Sequence, residues 1–382
     1  LYKILFVFGT RPEAIKMAPV IKELCHHQDV FQTVVCVTAQ HRQMLDQVLD
    51  IFQIHPDYDL DIMTAGQDLF DVTCNVLSGL KPVLYKEQPD MVLIHGDTTT
   101  TMAAALAAYY GHYKVGHIEA GLRTHDKFAP FPEEINRKVA GCLTDIHFAP
   151  TASARENLLR EGVHEDAIFV TGNTVIDALL DVSAMIDRDP QLEERLSHDF
   201  GYLNSARKLI LVTGHRRENF KEGFENICKA LAQLAEAHRN VDILYPVHLN
   251  PNVQEPVKRL LGNGKYDNIH LIEPVDYLSF VYLLKQANFI ITDSGGIQEE
   301  APSLSKPVLV MRGKTERPEA VDAGTVKLVG TNVEKIVCEA TTLLSDESVY
   351  YQMSSLQNPY GDGHAAKRIA KVLLDKLSIE GH

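Results

Sequence analysis

The stretch Lys3-Ile-Leu-Phe-Val-Phe-Gly9, followed at once by Thr10-Arg11-Pro12-Glu13-Ala14-Ile15-Lys16, decides how this chain folds. A continuous apolar run ending in glycine reads as a strand of a buried parallel sheet. Pro12 then falls in the first turn of a helix, where its missing amide hydrogen would have no partner in any case. Strand, tight turn and helix is the unit that presents ligands at the carboxyl ends of strands in α/β proteins. The turn carries Arg11, and Lys16 follows on the same helix, so two cations and a helix N-terminus suit an anion. The residues match neither G-x-x-x-x-G-K-[ST] nor G-x-G-x-x-G, so this is neither a P-loop nor a dinucleotide turn.

The same pattern recurs along the chain. Strand candidates in the first half are Ile4–Phe8, Thr33–Thr38, Met91–His95, Val115–Glu119, Ile146–Ala149 and Ile168–Val170. Those in the second are Leu209–Thr213, Asp242–Val247, Ile269–Ile272, Phe289–Thr292, Val308–Met311 and Val326–Val329. Segments with helical spacing lie between them, among them Ala14–His26, Phe224–Arg239, Tyr277–Gln286 and a charged insertion over Asp187–Ser205. Strands alternating with helices imply parallel sheets with right-handed crossovers. Two sets of strands imply two doubly wound α/β domains, 1–172 and 173–363, with a terminal helix over 364–382 returning to the first. An eight-stranded (β/α) barrel has too few strands to use them all.

Composition narrows the function. The chain has 382 residues, 45% hydrophobic and 23% charged, which is ordinary for a globular protein with two cores. Its 37 Lys and Arg against 51 Asp and Glu give a net charge of −14, which argues against nucleic acid or an anionic membrane as partner. A phosphorylated small molecule in a local cationic pocket remains compatible. Six scattered cysteines without ligand spacing read as reduced, mostly buried thiols of a cytoplasmic enzyme, with no metal site. The first residues enter a core strand and no apolar run approaches roughly 18 residues, so neither a signal peptide nor a membrane span is expected.

Five segments share a strand end, polar residues and a helix start: Gly9–Lys16, His95–Thr100, His117–Thr124, Thr213–Asn219 and Thr292–Glu300. All should face one side of their sheets and open onto a shared crevice. Asp97 fits either a helix N-cap or a site carboxylate. Glu119, at the end of a buried strand, is poorly explained as a solvated side chain. Glu133 follows Pro130-Phe131-Pro132 in a first helical turn, where the dipole alone favours it, and Arg137 is spaced for a plain i,i+4 pair with it. His215 sits beside Arg216 and Arg217, as a group next to a phosphate would. Ser294-Gly295-Gly296 leaves backbone amides unobstructed at a helix start. Glu300 fits either a ribose-binding acid or an exposed first-turn glutamate.

These segments together resemble the non-hydrolysing UDP-N-acetylglucosamine 2-epimerases. The likeness rests on Gly-Thr-Arg-Pro-Glu-Ala-Ile-Lys-Met-Ala-Pro19, Gly-Asp-Thr-Thr, His-Ile-Glu-Ala-Gly-Leu-Arg-Thr, Pro-Glu-Glu-Ile-Asn-Arg, Gly-His-Arg-Arg-Glu-Asn and Asp-Ser-Gly-Gly-Ile-Gln-Glu-Glu, in order from Lys3 to the terminal helix. The resemblance implies two Rossmann-like domains in the glycosyltransferase-B arrangement, a site in the cleft between them, a homodimer, and neither metal nor nicotinamide. It implies Asp97, Glu119, Glu133 and His215 as the catalytic set. It assigns Arg11, Lys16, Arg137, Phe280, Ser294, Gly295, Gly296, Glu300 and Arg317 to substrate binding. Gln40, Gln43, Arg216 and His248 resemble a second, activating substrate site, although Gly66 stands where some activated members have Arg. Hydrolysing relatives tend to carry Arg after Gly-Asp and to lack the Pro-Glu-Glu-x-Asn-Arg segment. Thr98 and Pro132–Arg137 set this chain apart from them. A glycosyltransferase on the same scaffold is the reading from another class, and fold alone does not separate it.

Overall fold

The computed structural model describes residues 1–38, 42–64, 66–262 and 264–380, and their side chains except those of 42–44, 379 and 380. Two compact units divide the chain: Leu1–Ala178 with Tyr360–His382, and Leu179–Pro359. The division falls inside the helix Thr174–Arg188, where the sequence reading placed it at 172/173.

The first unit holds strands β1 (Tyr2–Phe8), β2 (Phe31–Val37), β3 (Tyr58–Asp59), β4 (Met91–His95), β5 (Lys114–Ile118), β6 (Ile146–Ala149) and β7 (Ile168–Val170). They form one seven-stranded sheet in the order β3-β2-β1-β4-β5-β6-β7, with every pairing parallel. The two-residue β3 has no counterpart in the sequence reading, because so short a segment shows no periodicity. The run Met91–His95 is buried throughout, as a strand covered on both faces requires. One face packs Leu5, Val7, Val92 and Ile94 against Val76, Leu80, Ala104 and Ala108 of the helices Leu69–Glu87 and Thr99–Tyr110.

The terminal helix Ala365–Glu380 belongs to this first unit and packs on the helix Arg11–Cys25. Its first amides, Ala365 N and Ala366 N, donate to the buried Asp177 carboxylate at 3.2 and 2.9 Å. Asp177 thus supplies the acceptors that a buried helix start needs.

The second unit holds β8 (Lys208–Thr213), β9 (Val241–Pro246), β10 (Ile269–Ile272), β11 (Phe289–Thr292), β12 (Val308–Val310) and β13 (Val326–Leu328). Their order is β10-β9-β8-β11-β12-β13, again all parallel. Ile210, Val212, Ile243, Tyr245 and Ile291 pack against Phe224, Ile227, Leu231 and Val253.

Both sheets reverse direction of winding beside their first strand, between β1 and β4 and between β8 and β11. Doubly wound sheets bind ligands at the carboxyl ends of the strands on either side of that reversal. The turns singled out in the sequence leave β1, β4 and β5 in one unit and β8 and β11 in the other.

The six cysteines are free thiols, but only Cys36 and Cys228 are buried. Cys74, Cys142 and Cys338 are exposed on helices, so the expectation of mostly buried thiols is corrected. Among the described residues no helix is long and apolar enough to cross a membrane.

Candidate active site

In the first unit the turn after β1 is built for close approach. A Cβ on Gly9 would collide with Thr38 Oγ1. Thr10 and Glu13 form a capping box at the start of the helix Arg11–Cys25. Glu13 does more than cap. Its buried carboxylate accepts from Gly9 N at 3.0 Å, Thr10 N at 2.7 Å and the Thr98 hydroxyl at 2.7 Å, tying the turn after β1 to the turn after β4. Burial raises the Glu13 carboxyl above its ordinary value despite these donors. The guanidinium of Arg11 makes no hydrogen bond or ion pair among the described residues, and Lys16 pairs with Glu119.

Asp97 does not cap a helix. Thr98 takes that role, accepting from Thr101 N at 3.1 Å. The Asp97 carboxylate is thereby left to Arg137 Nη2. The backbone carbonyl of Asp97 accepts from Asn136 Nδ2 at 2.9 Å. The i,i+4 pair of Glu133 with Arg137 does not form. Arg137 turns instead to Asp97 and, at 3.3 Å, to Glu134. Glu134 is fully buried and accepts from Thr124 N and His125 N, which makes it the anchor of the loop before the helix Glu133–Leu143. Glu133 has one buried oxygen with no hydrogen-bond partner in the described structure. A buried acceptor left open is costly, and such groups collect at working sites.

Glu119 holds φ +64°, a left-handed conformation uncommon for a residue with a side chain. Its carboxylate meets Lys16, accepts from Asn173 Nδ2 at 2.9 Å and lies 4.0 Å from His95 Nε2. Three buried histidines line the strands beneath. Burial pushes His95 down to about 4, His117 to about 3 and His147 to about 4, so all three are neutral imidazoles at neutral pH. His117 Nε2 donates to the Gly96 carbonyl at 2.7 Å and fixes the turn that carries Asp97.

In the second unit the organising group is Asp293, fully buried at the end of β11. Its carboxylate accepts from His215 N, Arg216 N and Asn219 Nδ2 at 2.9 to 3.1 Å, and Oδ1 lies 3.7 Å from His215 Nδ1. His215 stacks on His248, ring centroids 5.4 Å apart. Burial lowers the His215 pKa, with Arg216 and His248 acting the same way and Asp293 opposing them. Arg216 pairs with Glu316 at 3.1 Å, and Arg312 holds the other side of that carboxylate.

Gly295 and Gly296 open the short helix Gly295–Glu300 without a side-chain cap, while Ser294 N donates to Thr292 Oγ1 at 2.9 Å. Glu300 ends that helix and is buried, not an exposed first-turn glutamate. Its Oε1 would lie 3.5 Å from a Cβ on Gly296. Arg317 pairs with the buried Glu299, and Phe280 is half-buried on the helix Tyr277–Gln286. Gln40 lies outside the described residues, as does the side chain of Gln43.

Each unit therefore assembles its own share of the sequence candidates: Arg11, Lys16, Asp97, Glu119, Glu133 and Arg137 around β1, β4 and β5, and His215, Arg216, His248, Ser294–Gly296 and Glu300 around β8 and β11. The first set can exchange protons and hold an anion, the second can hold a diphosphate. Among the described residues no group of three His, Cys, Asp or Glu is placed to hold a metal ion. Sequence reasoning passed over Glu13, Asn173, His117 and Asp293. Thr-x-x-Glu was a visible signal for Glu13, whereas Asn173 reaches Glu119 from a distant segment that carries no motif.

Comparison with known proteins places the chain in a family. The family model described as UDP-N-acetylglucosamine 2-epimerase matches residues 23–374. The UDP-N-acetylglucosamine 2-epimerase of Yersinia pestis is 61% identical over 371 residues, covering 97% of this chain and 98% of that protein. The enzyme of that name from Escherichia coli K12 is 58% identical over the same shares. The crystal structure of UDP-GlcNAc 2-epimerase from Neisseria meningitidis bound to UDP-GlcNAc superposes with a TM-score of 0.90 at 51% identity, covering 98% of this chain and 100% of that one. With carboxylates, cations and glycine turns in the family's order on two Rossmann-like units, the chain belongs to the non-hydrolysing UDP-N-acetylglucosamine 2-epimerases.

Proposed function

We propose that the chain interconverts UDP-N-acetylglucosamine and UDP-N-acetylmannosamine by eliminating UDP and adding it back. No carbonyl acidifies the hydrogen on carbon 2 of the sugar. Departure of UDP from carbon 1 develops an oxocarbenium ion, and the carbon 2 proton then becomes removable, leaving a glycal. Reprotonation of carbon 2 on the opposite face and attack of UDP on carbon 1 restore both bonds.

In this reading Arg11, Lys16, His215 and the Ser294–Gly296 amides stabilise the departing diphosphate. Asp97, Glu119 and Glu133 carry the proton, which requires one ionised and one protonated group. Arg137, Phe280, Glu300 and Arg317 bind the rest of the substrate, and Arg216 and His248 serve a second, activating substrate molecule. What supports the reading is the pairing of Lys16 with Glu119 and of Arg137 with Asp97 after β5 and β4, together with the open buried oxygen of Glu133. A protein that only sensed the nucleotide would need the cations and not the carboxylates. The reading extends to a homodimer working in the cytoplasm, which light scattering and fractionation test.

Proton NMR of UDP-N-acetylglucosamine with the enzyme in deuterated water, without acceptor or cofactor, is the decisive experiment. UDP-N-acetylmannosamine carrying deuterium at carbon 2 is expected. Product without solvent deuterium would point to internal hydride transfer. Accumulation of free sugar and UDP would move the chain to the hydrolysing branch.

A further inference from the structure

The Asp293 carboxylate is fully buried. Its acceptors are spent on the turn after β8: His215 N at 3.1 Å and 3.0 Å to the two oxygens, Arg216 N at 2.9 Å and Asn219 Nδ2 at 3.1 Å. Asn219 Nδ2 also donates to the Met311 carbonyl after β12, at 3.1 Å. Asp293 itself belongs to the turn after β11 and immediately precedes Ser294-Gly295-Gly296. β8 and β11 are neighbours, with Thr213 opposite Thr292 and their hydroxyls 2.6 Å apart. One side chain therefore ties the turn carrying His215 to the turn that opens the uncapped helix at Gly295, across the strand pair where this sheet reverses.

From this we infer that Asp293 is the positioning residue of the second unit, setting the distance of His215 from the Ser294–Gly296 amides and orienting the imidazole through the Oδ1 beside its Nδ1. The inference rests on reading His215 as part of the reacting site. Backbone amides held by a buried charge do not rotate away, because removing the acceptor would leave them unsatisfied in a dry setting. The carboxylate also favours a hydrogen on Nδ1 and leaves Nε2 as the outward-facing atom of the neutral ring. The charged and titratable groups facing His215 are Asp293 from the turn after β11, Arg216 from its own turn and His248 from the segment after β9. Of these, Asp293 alone holds the imidazolium form in place.

Asp293→Asn in the full-length enzyme tests the role, because the amide keeps the shape and one acceptor oxygen but loses the charge. The His215 ring signal, assigned by its loss in His215→Asn, is expected to titrate at lower pH in Asp293→Asn than in the wild type. kcat is expected to fall at least tenfold, with KM within about threefold. Asp293→Asn added to His215→Asn is expected to cost nothing further. Unchanged His215 titration, or losses that multiply in the double variant, would overturn the inference and leave Asp293 a merely structural acid.

Asn219→Ala takes one donor from Asp293 and leaves its charge, and it decides the matter if Asp293→Asn does not fold. A drop in kcat of a few-fold at unchanged KM is expected, and an unchanged kcat overturns the brace. If His215→Asn itself turns over at the wild-type rate, the proposed role of His215 fails, and the inference on Asp293 stands or falls on the titration alone.

Discussion

Glu119 shows how much a single position is asked to do. Its left-handed backbone is sustained because its carboxylate is fixed from outside by Lys16 and Asn173, and strain held in this way is a mark of working sites. Glu119→Gln, Asp97→Asn and Glu133→Gln preserve size but remove proton transfer, which contributes about 10²–10⁴-fold. Each variant is expected to lose epimerisation by that order, while calorimetric UDP affinity stays within a few-fold. A carboxylate variant with near wild-type turnover would leave the catalytic set. Arg11→Ala is expected to do the opposite, weakening UDP by about 1.5–3 kcal/mol, the contribution of a charge-assisted hydrogen bond. Asp97 and Glu133 stand in the sequence where an apolar strand or a proline turn gives way to a helix, whereas the helix start expected within His117–Thr124 is absent, since a turn and loop run from Glu119 to the helix at Glu133. Asn173 and Asp293 were not legible as partners, since a hydrogen bond spanning 54 or 78 residues leaves no local pattern.

At the scale of elements, the turn after β5 is fixed by Gly121, whose φ of +88° and close approach to the Ala154 carbonyl leave no room for a Cβ. Gly121→Ala is expected to cost about 2–3 kcal/mol, from backbone strain and collision with main chain rather than a movable side chain. For a unit of this size that is roughly 5–10 °C in thermal midpoint, measurable by calorimetry. The histidines of β4, β5 and β6 set a pH dependence. In the folded unit His95, His117 and His147 are depressed to about 4, 3 and 4 from an ordinary 6.5. Between those values the unfolded chain binds protons that the folded one does not. Their stabilising contribution is therefore full above 6.5 and is lost as pH falls toward 4 and below. Glu13, raised by burial, acts in the opposite sense above its ordinary 4.5 and offsets part of the slope. The thermal midpoint of the first unit is expected to drop between pH 7 and pH 5, and His117→Gln to flatten that drop. A midpoint independent of pH over this range would show that the histidines are solvated. The strands themselves were readable from apolar runs, and the helix starts at Arg11 and Glu133 from proline. Asp97 was left open in the sequence between a helix cap and a site carboxylate, and the structure gives the cap to Thr98, whose hydroxyl also bonds Glu13.

On the scale of the whole molecule, one sheet order is used twice, and each unit places its polar residues at its own point of reversal. The two sets of strands announced this in the sequence. The border between the units did not announce itself, because the helix Thr174–Arg188 runs across it without a break in periodicity. The net charge of −14 hides the cationic turns, so overall composition spoke against polyanions while local sequence spoke for a diphosphate. The duplication makes a prediction about where ligand energy is deposited. If the β8 and β11 turns hold the nucleotide, UDP at a hundred times its Kd should stabilise the unit Leu179–Pro359 by about 2.7 kcal/mol, the mass-action value for one site. Calorimetry should show that transition rising by several degrees. Hydrogen exchange should slow at Gly295–Gly296, where helix-start amides without a side-chain cap would acquire phosphate acceptors. UDP-N-acetylglucosamine should add protection at Gly96–Asp97 and Glu119–Gly121 if its sugar engages the carboxylates as proposed. Protection by UDP confined to the turns after β4 and β5 would assign the nucleotide to the wrong unit and sink this division of roles.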